Sequence, residues 1–255
     1  MKSIIRRLRA GRRSAILSDL KALLEIHAGK WPALYFGLYR LVRKNWTHAV
    51  SPTTQLVIEG FPRSANTFAV VAFRKAQKQE VRIAHHFHVP AQVIRAVRWR
   101  IPTLVLIREP RDAVLSLTIR EPVSVDLALM RYISFYGTIA RYRDAYVLGR
   151  FEEVTSDYGK IIERVNAKFG TSFSLFRHNK KNVSRVLARI DRTYERRRGT
   201  TSRETEISRP SDIREQMKRE LEHELEDPKR KRLIAEAEAI YVRLTAPTRG
   251  FVEGK

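Results

Sequence analysis

Chemistry in this chain concentrates at the foot of one short apolar run. Leu56-Val57-Ile58-Glu59-Gly60 gives way to Phe61-Pro62-Arg63-Ser64-Ala65-Asn66-Thr67-Phe68. A strand that breaks into small polar residues and then opens a helix turns backbone N–H groups and the positive end of the helix dipole towards one point, which suits an anion. The nucleoside-triphosphate form of this arrangement is G-x-x-x-x-G-K-[ST], in which lysine reaches the terminal phosphates. Here the frame is Gly60, Ala65, Asn66 and Thr67, so the hydroxyl and the helix start remain. The lysine is absent and the cation lies inside the loop, at Arg63. Such a loop is expected to hold phosphate without magnesium.

A second motif follows. Pro102-Thr103-Leu104-Val105-Leu106-Ile107 reads as a buried strand that ends in Arg108 and leads into a helix carrying Ser116, eight residues on. A kinase or ATPase needs an aspartate at such a strand end to organise Mg²⁺, whereas Arg108 and Ser116 offer a guanidinium fork and a hydroxyl to another phosphate. Together the two motifs imply a ligand with two separate phosphates. A third group, Arg82-Ile83-Ala84-His85-His86-Phe87-His88-Val89-Pro90, holds three of the seven histidines. Strand alternation places His86 and His88 on one face and His85 on the other. A neutral imidazole is well matched to taking a hydroxyl proton near neutral pH. Zinc is the competing reading of this cluster, but with no cysteine and no H-E-x-x-H spacing no metal is expected.

The elements that must position these residues read as an α/β fold. Strands are expected at 54–60, 81–86, 103–108 and 145–154. Helices are expected at 65–78, 90–98, 111–120, 126–142 and 157–169, with one or two charged helices over 211–245 interrupted at Asp227-Pro228. Strands alternating with helices imply one parallel sheet flanked by helices, and in such sheets ligands bind beyond the carboxyl ends of the strands. Residues 1–50 stand apart as a basic helical arm. Lys2 to Arg13 is cationic and Ala15 to Val42 has helical apolar spacing with Trp31, Tyr35, Phe36 and Tyr39. It reads as a helix packed on the core, with a membrane-surface segment as the alternative. The expected organisation is therefore 1–50 as arm and 51–255 as a single domain.

On Pro62-Arg63-Ser64-Ala65-Asn66-Thr67-Phe68 and the Arg108/Ser116 pair, the chain resembles the sulfotransferases that use 3′-phosphoadenosine 5′-phosphosulfate (PAPS). Their phosphosulfate loop is typically P-[KR]-S-G-T-T-[WL], and the departures here are Ala65 for glycine and Asn66 for the first threonine. The match is good over residues 53–175. The resemblance implies that Arg63 stabilises the transferring group while Ser64, Ala65, Asn66 and Thr67 bind the 5′-phosphate. It also implies that Arg108 and Ser116 bind the 3′-phosphate and that Phe68 stands against adenine. His88-Val89-Pro90 occupies the place of the family's H-L-P, with His86 in its lysine place, so His88 and then His86 are the expected bases. Glu80 or Glu59 is the carboxylate alternative. Arg197-Arg198-Gly199 stands where a loop closing over the donor would be, and Phe151-Glu152-Glu153-Val154 resembles a scaffold strand. PAPS is then the donor and 3′-phosphoadenosine 5′-phosphate (PAP) the product.

Composition bounds the rest. Fifty Lys and Arg against 27 Asp and Glu give a formal charge of +23, which favours anionic partners by long-range steering. That charge tilts the expected acceptor towards an acidic or glycan hydroxyl compound. Its identity is left open because variable loops build such pockets, and the segment with Met130, Tyr132, Phe135 and Tyr136 is one candidate lining. A P-loop kinase or nucleotide hydrolase is countered by Asn66 and Arg108 at its lysine and aspartate places. A nucleic-acid binder would explain the charge, but not the two motifs. Without cysteines there are neither disulfides nor thiolate sites, and charges interrupt every apolar run that could span a membrane. A cytosolic protein fits a cytosolic donor, and oligomeric state stays open.

Overall fold

The computed structural model describes residues 19–20, 22–42, 47–198 and 212–247. Its centre is a four-stranded, wholly parallel sheet in the order β2-β1-β3-β4, formed by β1 (Leu56–Gly60), β2 (Ile83–His85), β3 (Thr103–Ile107) and β4 (Val147–Arg150). β1 and β3 are buried at every position, so both read as continuous apolar runs. Within β3, Leu104 and Leu106 face one apolar cluster and Val105 and Ile107 the other. That alternation is the two-residue period of a strand.

On the first face lie α3 (Asn66–Ala76), α8 (Tyr158–Phe169) and α9 (Lys180–Arg198). On the second lie α5 (Pro110–Arg120), α6 (Val125–Ile139), α10 (Asp212–Glu226) and α11 (Lys231–Thr245). α4 (Pro90–Arg98) joins β2 to β3 and packs with α2 (Pro32–Val42) in a third cluster. Before α2, residues 22–27 are helical (α1) and a turn at 28–30 follows. The chain leaves β1 towards β2 on one side and returns to β3 on the other. The loops after β1 and β3 therefore diverge from adjacent strands at a topological switch point, the crevice where α/β sheets bind ligands. Gly60 pairs with Leu106 in that register, and a Cβ on Gly60 would lie 2.3 Å from the Leu106 carbonyl oxygen. Only glycine lets the two loop origins come this close.

Three expectations require correction. The strand read over 145–154 stops at Arg150, and Phe151–Ser156 is helix α7. The Glu153 carboxylate accepts the Arg150 N–H at 2.8 Å, which caps a helix at the point where the apolar run invited a strand. The helix read over 126–142 spans Val125–Ile139 and tightens into a 3₁₀ segment at Ala140–Ala145. The strand read over 81–86 ends at His85, because His86 has a φ of 61°.

Candidate functional site

Among the described residues, five that are not glycine have positive φ: Arg63, Ala65, His86, His88 and Arg100. All but Arg100 lie in the loops that follow β1 and β2. Left-handed backbone at residues with a Cβ costs energy, and such positions persist where surrounding contacts enforce them, often at ligand sites.

The β1–α3 loop is held from beneath. Tyr136 on α6 accepts the Phe61 N–H at 3.2 Å, donates to the Leu106 carbonyl at 2.7 Å and lies 3.4 Å from Ser64 Oγ. The Asn66 amide donates to the Phe61 carbonyl at 2.9 Å. Ser64 and Asn66 are both buried, so their side chains shape the loop from inside. Among the described residues no side chain caps the α3 N-terminus, where Ala65 takes the left-handed conformation a glycine would adopt. The first N–H groups of α3 have no intrahelical acceptors. α5 differs, since the Glu109 carboxylate accepts from the Arg111 and Asp112 N–H groups and closes that terminus.

The two motifs meet. Arg108 Nη1 donates to the Arg63 carbonyl at 3.2 Å, and Arg63 Nε donates to Ser116 Oγ at 3.0 Å. Arg63 thus touches the partner motif directly, rather than standing apart at a separate phosphate. Arg108 lies over the Phe151 ring at 4.0 Å, pairs with Asp112, and its carbonyl accepts the Tyr132 hydroxyl at 2.8 Å. Lys218 on α10 reaches the other Asp112 oxygen at 2.8 Å. Burial works to raise the Asp112 carboxyl, but Arg108 and Lys218 outweigh it and hold the group below the usual carboxylate range. Arg108 Nε is buried without a hydrogen-bond partner. A buried donor of this kind, on a fork suited to oxyanions, fits a phosphate oxygen.

The histidines are organised by Glu59, which is fully buried at the end of β1. Its carboxylate accepts from Phe87 N at 2.7 Å, Gln92 Nε2 at 3.0 Å and His88 N at 3.1 Å. Folding the loop around this carboxylate stops the strand, so alternation does not set the directions of His86 and His88. Burial raises Glu59 and the N–H donors only partly offset it, leaving a pKa of about 7.

His88 Nδ1 lies 2.7 Å from the Gly60 carbonyl, which can only accept. The proton therefore sits on Nδ1 and, in the neutral ring, Nε2 carries the lone pair. His86 is placed differently. Arg74 Nη2, which can only donate, lies 3.2 Å from His85 Nε2, so His85 carries its proton on Nδ1 and gives it to His86 Nδ1. His86 must then donate from Nε2 to Thr67 Oγ1, at 3.1 Å. Burial, reinforced by His86 and His48, lowers the His85 pKa to about 2, which keeps His85 neutral. With both nitrogens committed, His86 positions Thr67 and His88 is the better base.

Several expected site residues fall elsewhere. Phe68 is a core residue, edge-on to Phe176 at 6.2 Å and beside His178, and packs within the apolar cluster beneath α3. Glu80 is exposed in the turn before β2, at the amino edge of the sheet and away from His88. Tyr132, Phe135 and Tyr136 are buried in the core, and the hydroxyls of Tyr132 and Tyr136 support the loops. Arg197 and Arg198 end helix α9 and so do not form a loop, while Gly199 lies outside the described residues. Sequence reasoning missed Arg74, Asp112, Lys218 and the two tyrosine hydroxyls. Lys218 and the tyrosines act on residues far away in sequence, which no local pattern signals, whereas Asp112 stands four residues after Arg108, an i,i+4 spacing that could have revealed it.

Among the described residues, no helix is long and apolar enough to cross a membrane, and no group of three or more His, Asp or Glu side chains is placed to hold a metal. No protein-family model matches the chain, and no curated protein matches it. Among solved structures it is similar to the crystal structure of mouse sulfotransferase SULT7A1 complexed with PAP, at 12% identity and a TM-score of 0.40, over 74% of this chain and 90% of that one.

Proposed function

We propose that this chain is a sulfotransferase that moves a sulfuryl group from PAPS to a hydroxyl acceptor. One observation supports the reading above others. Arg63, Arg108 and Ser116 are joined by hydrogen bonds at the switch point, beside an uncapped helix start, in a loop without the lysine of nucleoside-triphosphate sites.

In this reading the α3 N-terminus and Thr67 bind the 5′-phosphate, and Arg108 with Ser116 binds the 3′-phosphate. Arg63 spans both motifs and meets the negative charge that grows on the leaving oxygen as the S–O bond breaks. His88 Nε2 takes the acceptor hydroxyl proton while its Nδ1–H stays on Gly60. The acceptor is a hydroxyl compound, and the positive surface favours an acidic or glycan one.

Calorimetric titration with PAP in magnesium-free buffer, beside ATP and an Arg108→Ala variant, tests this reading. Micromolar PAP binding that falls at least about tenfold in the variant, with ATP much weaker, is expected from the loss of a charge-assisted pair. Tighter binding of ATP with Mg²⁺, or no PAP binding, would overturn it.

A further inference from the structure

The outer surface of α2 and the end of α4 have a composition that the donor site does not explain. Trp31, Leu34, Leu38 and Leu41 are all exposed, at 65%, 50%, 37% and 84%. Their spacing of three, four and three residues puts them on one side of the helix, opposite buried Phe36. Leu20, Leu23 and Leu24 of the preceding helical stretch are exposed as well. Across a groove lined by Ala33, Gly37, Arg40 and Arg95 stands Trp99, 46% exposed between exposed Arg98 and Arg100.

The charge on this surface has one sign. No Asp or Glu occurs from 26 to 58 or from 81 to 108, the two stretches that supply α2 and α4. On the preceding stretch Asp19 lies at the far end, and Glu25 is turned inward to Arg131. Lys30, Arg40, Arg98 and Arg100 are exposed there. Burial, and then the charge of Arg40, lower the pKa of Arg95, as expected where cations lie close together. Exposed tryptophans and leucines ringed by cations, with no acid among them, match the boundary of an anionic bilayer, where rings and alkyl chains enter the interface and cations meet lipid phosphates.

We propose that the outer face of α2, with Trp99 and its flanking arginines, docks the protein on an anionic lipid surface. This does not depend on the sulfotransferase reading, but it bears on it. The buried side of α2 holds Phe87 between the two histidines, with Tyr39 and Phe36 at 4.9 and 5.8 Å from its ring. The docked helix therefore backs directly onto the loop that presents His88.

Co-sedimentation of the full chain with vesicles of phosphatidylcholine, alone and mixed equally with phosphatidylserine, tests the proposal. The comparison is with a Leu34→Glu/Leu38→Glu variant and with Val242→Glu, an exposed control on α11. We expect binding to the mixed vesicles alone, weakened by salt, lost by at least about tenfold in the double variant and unchanged in the control. Equal binding of wild type and double variant would assign the attraction to charge elsewhere and overturn the proposal. A wild-type dimer that the double variant dissociates, with no vesicle binding by either, would overturn it in favour of a second copy of this chain.

Discussion

Thr67 illustrates how a single proton can be placed by residues that never touch the ligand. Arg74 can only donate, so His85 accepts on Nε2, His86 accepts on Nδ1, and Thr67 accepts from His86. A hydroxyl that accepts one hydrogen bond still has its own hydrogen to give, and here that hydrogen is directed away from His86, available to an anion at the α3 N-terminus. Thr67→Val should therefore weaken PAP binding about tenfold, the worth of a charge-assisted hydrogen bond, while Thr67→Ser keeps most of the affinity. Arg74→Leu removes the group that sets the direction, and a loss of about threefold to fivefold is expected although Arg74 contacts no ligand. Titration of the three variants checks this. An Arg74→Leu protein with wild-type affinity would mean that the direction of the chain does not matter.

At the scale of elements, Glu59 binds the end of β1 to the β2–α4 loop, and its protonation should appear in stability. Its folded pKa is raised from 4.5 to about 7. For an acid raised on folding, the native state holds a proton that the unfolded chain has lost, so the stabilisation is complete below about pH 4.5 and disappears as pH rises through about 7. The shift amounts to about 3 kcal/mol at most. Urea unfolding of wild type and Glu59→Gln at pH 5 and pH 7.5 should show wild type losing stability relative to the variant at the higher pH. A constant difference would show a carboxylate ionised throughout and satisfied by its N–H donors. Glu59 also marks the limit of what could be read from the sequence. The runs Leu56–Gly60 and Thr103–Ile107 are buried on both faces, so they declare parallel strands and locate the two motifs that follow them. His86 and His88 could not be aimed, because alternation ends where backbone N–H groups turn to a carboxylate that lies distant in sequence. Phe151–Val154 was misread for a related reason, since local apolar spacing does not reveal that Glu153 caps the preceding N–H.

At the scale of the whole molecule, α6 connects parts that the sequence leaves separate. Tyr136 supports the loop after β1 and Tyr132 the loop after β3. On the same helix Arg131 pairs with Glu25, both 6% exposed, and Ser134 donates to the Ile26 carbonyl at 3.1 Å. The helical stretch before α2 is thereby keyed into the helix that carries the site, so the N-terminal helices and the sheet should unfold as one unit. Removing one partner of a buried ion pair leaves an uncompensated charge, typically at a cost of about 3 to 5 kcal/mol. Glu121, 3.5 Å from Arg131, can recover part of that loss. Glu25→Ala should thus lower the urea midpoint markedly while keeping a single transition by both tryptophan fluorescence and circular dichroism, because Trp31 and Trp99 report the N-terminal side and the helices report the whole. An early fluorescence step preceding the main loss of helix would instead show the N-terminal helices to be a separate unit resting on the sheet. In that case Phe87, held by Tyr39 and Phe36, would lose its support before the site itself unfolded.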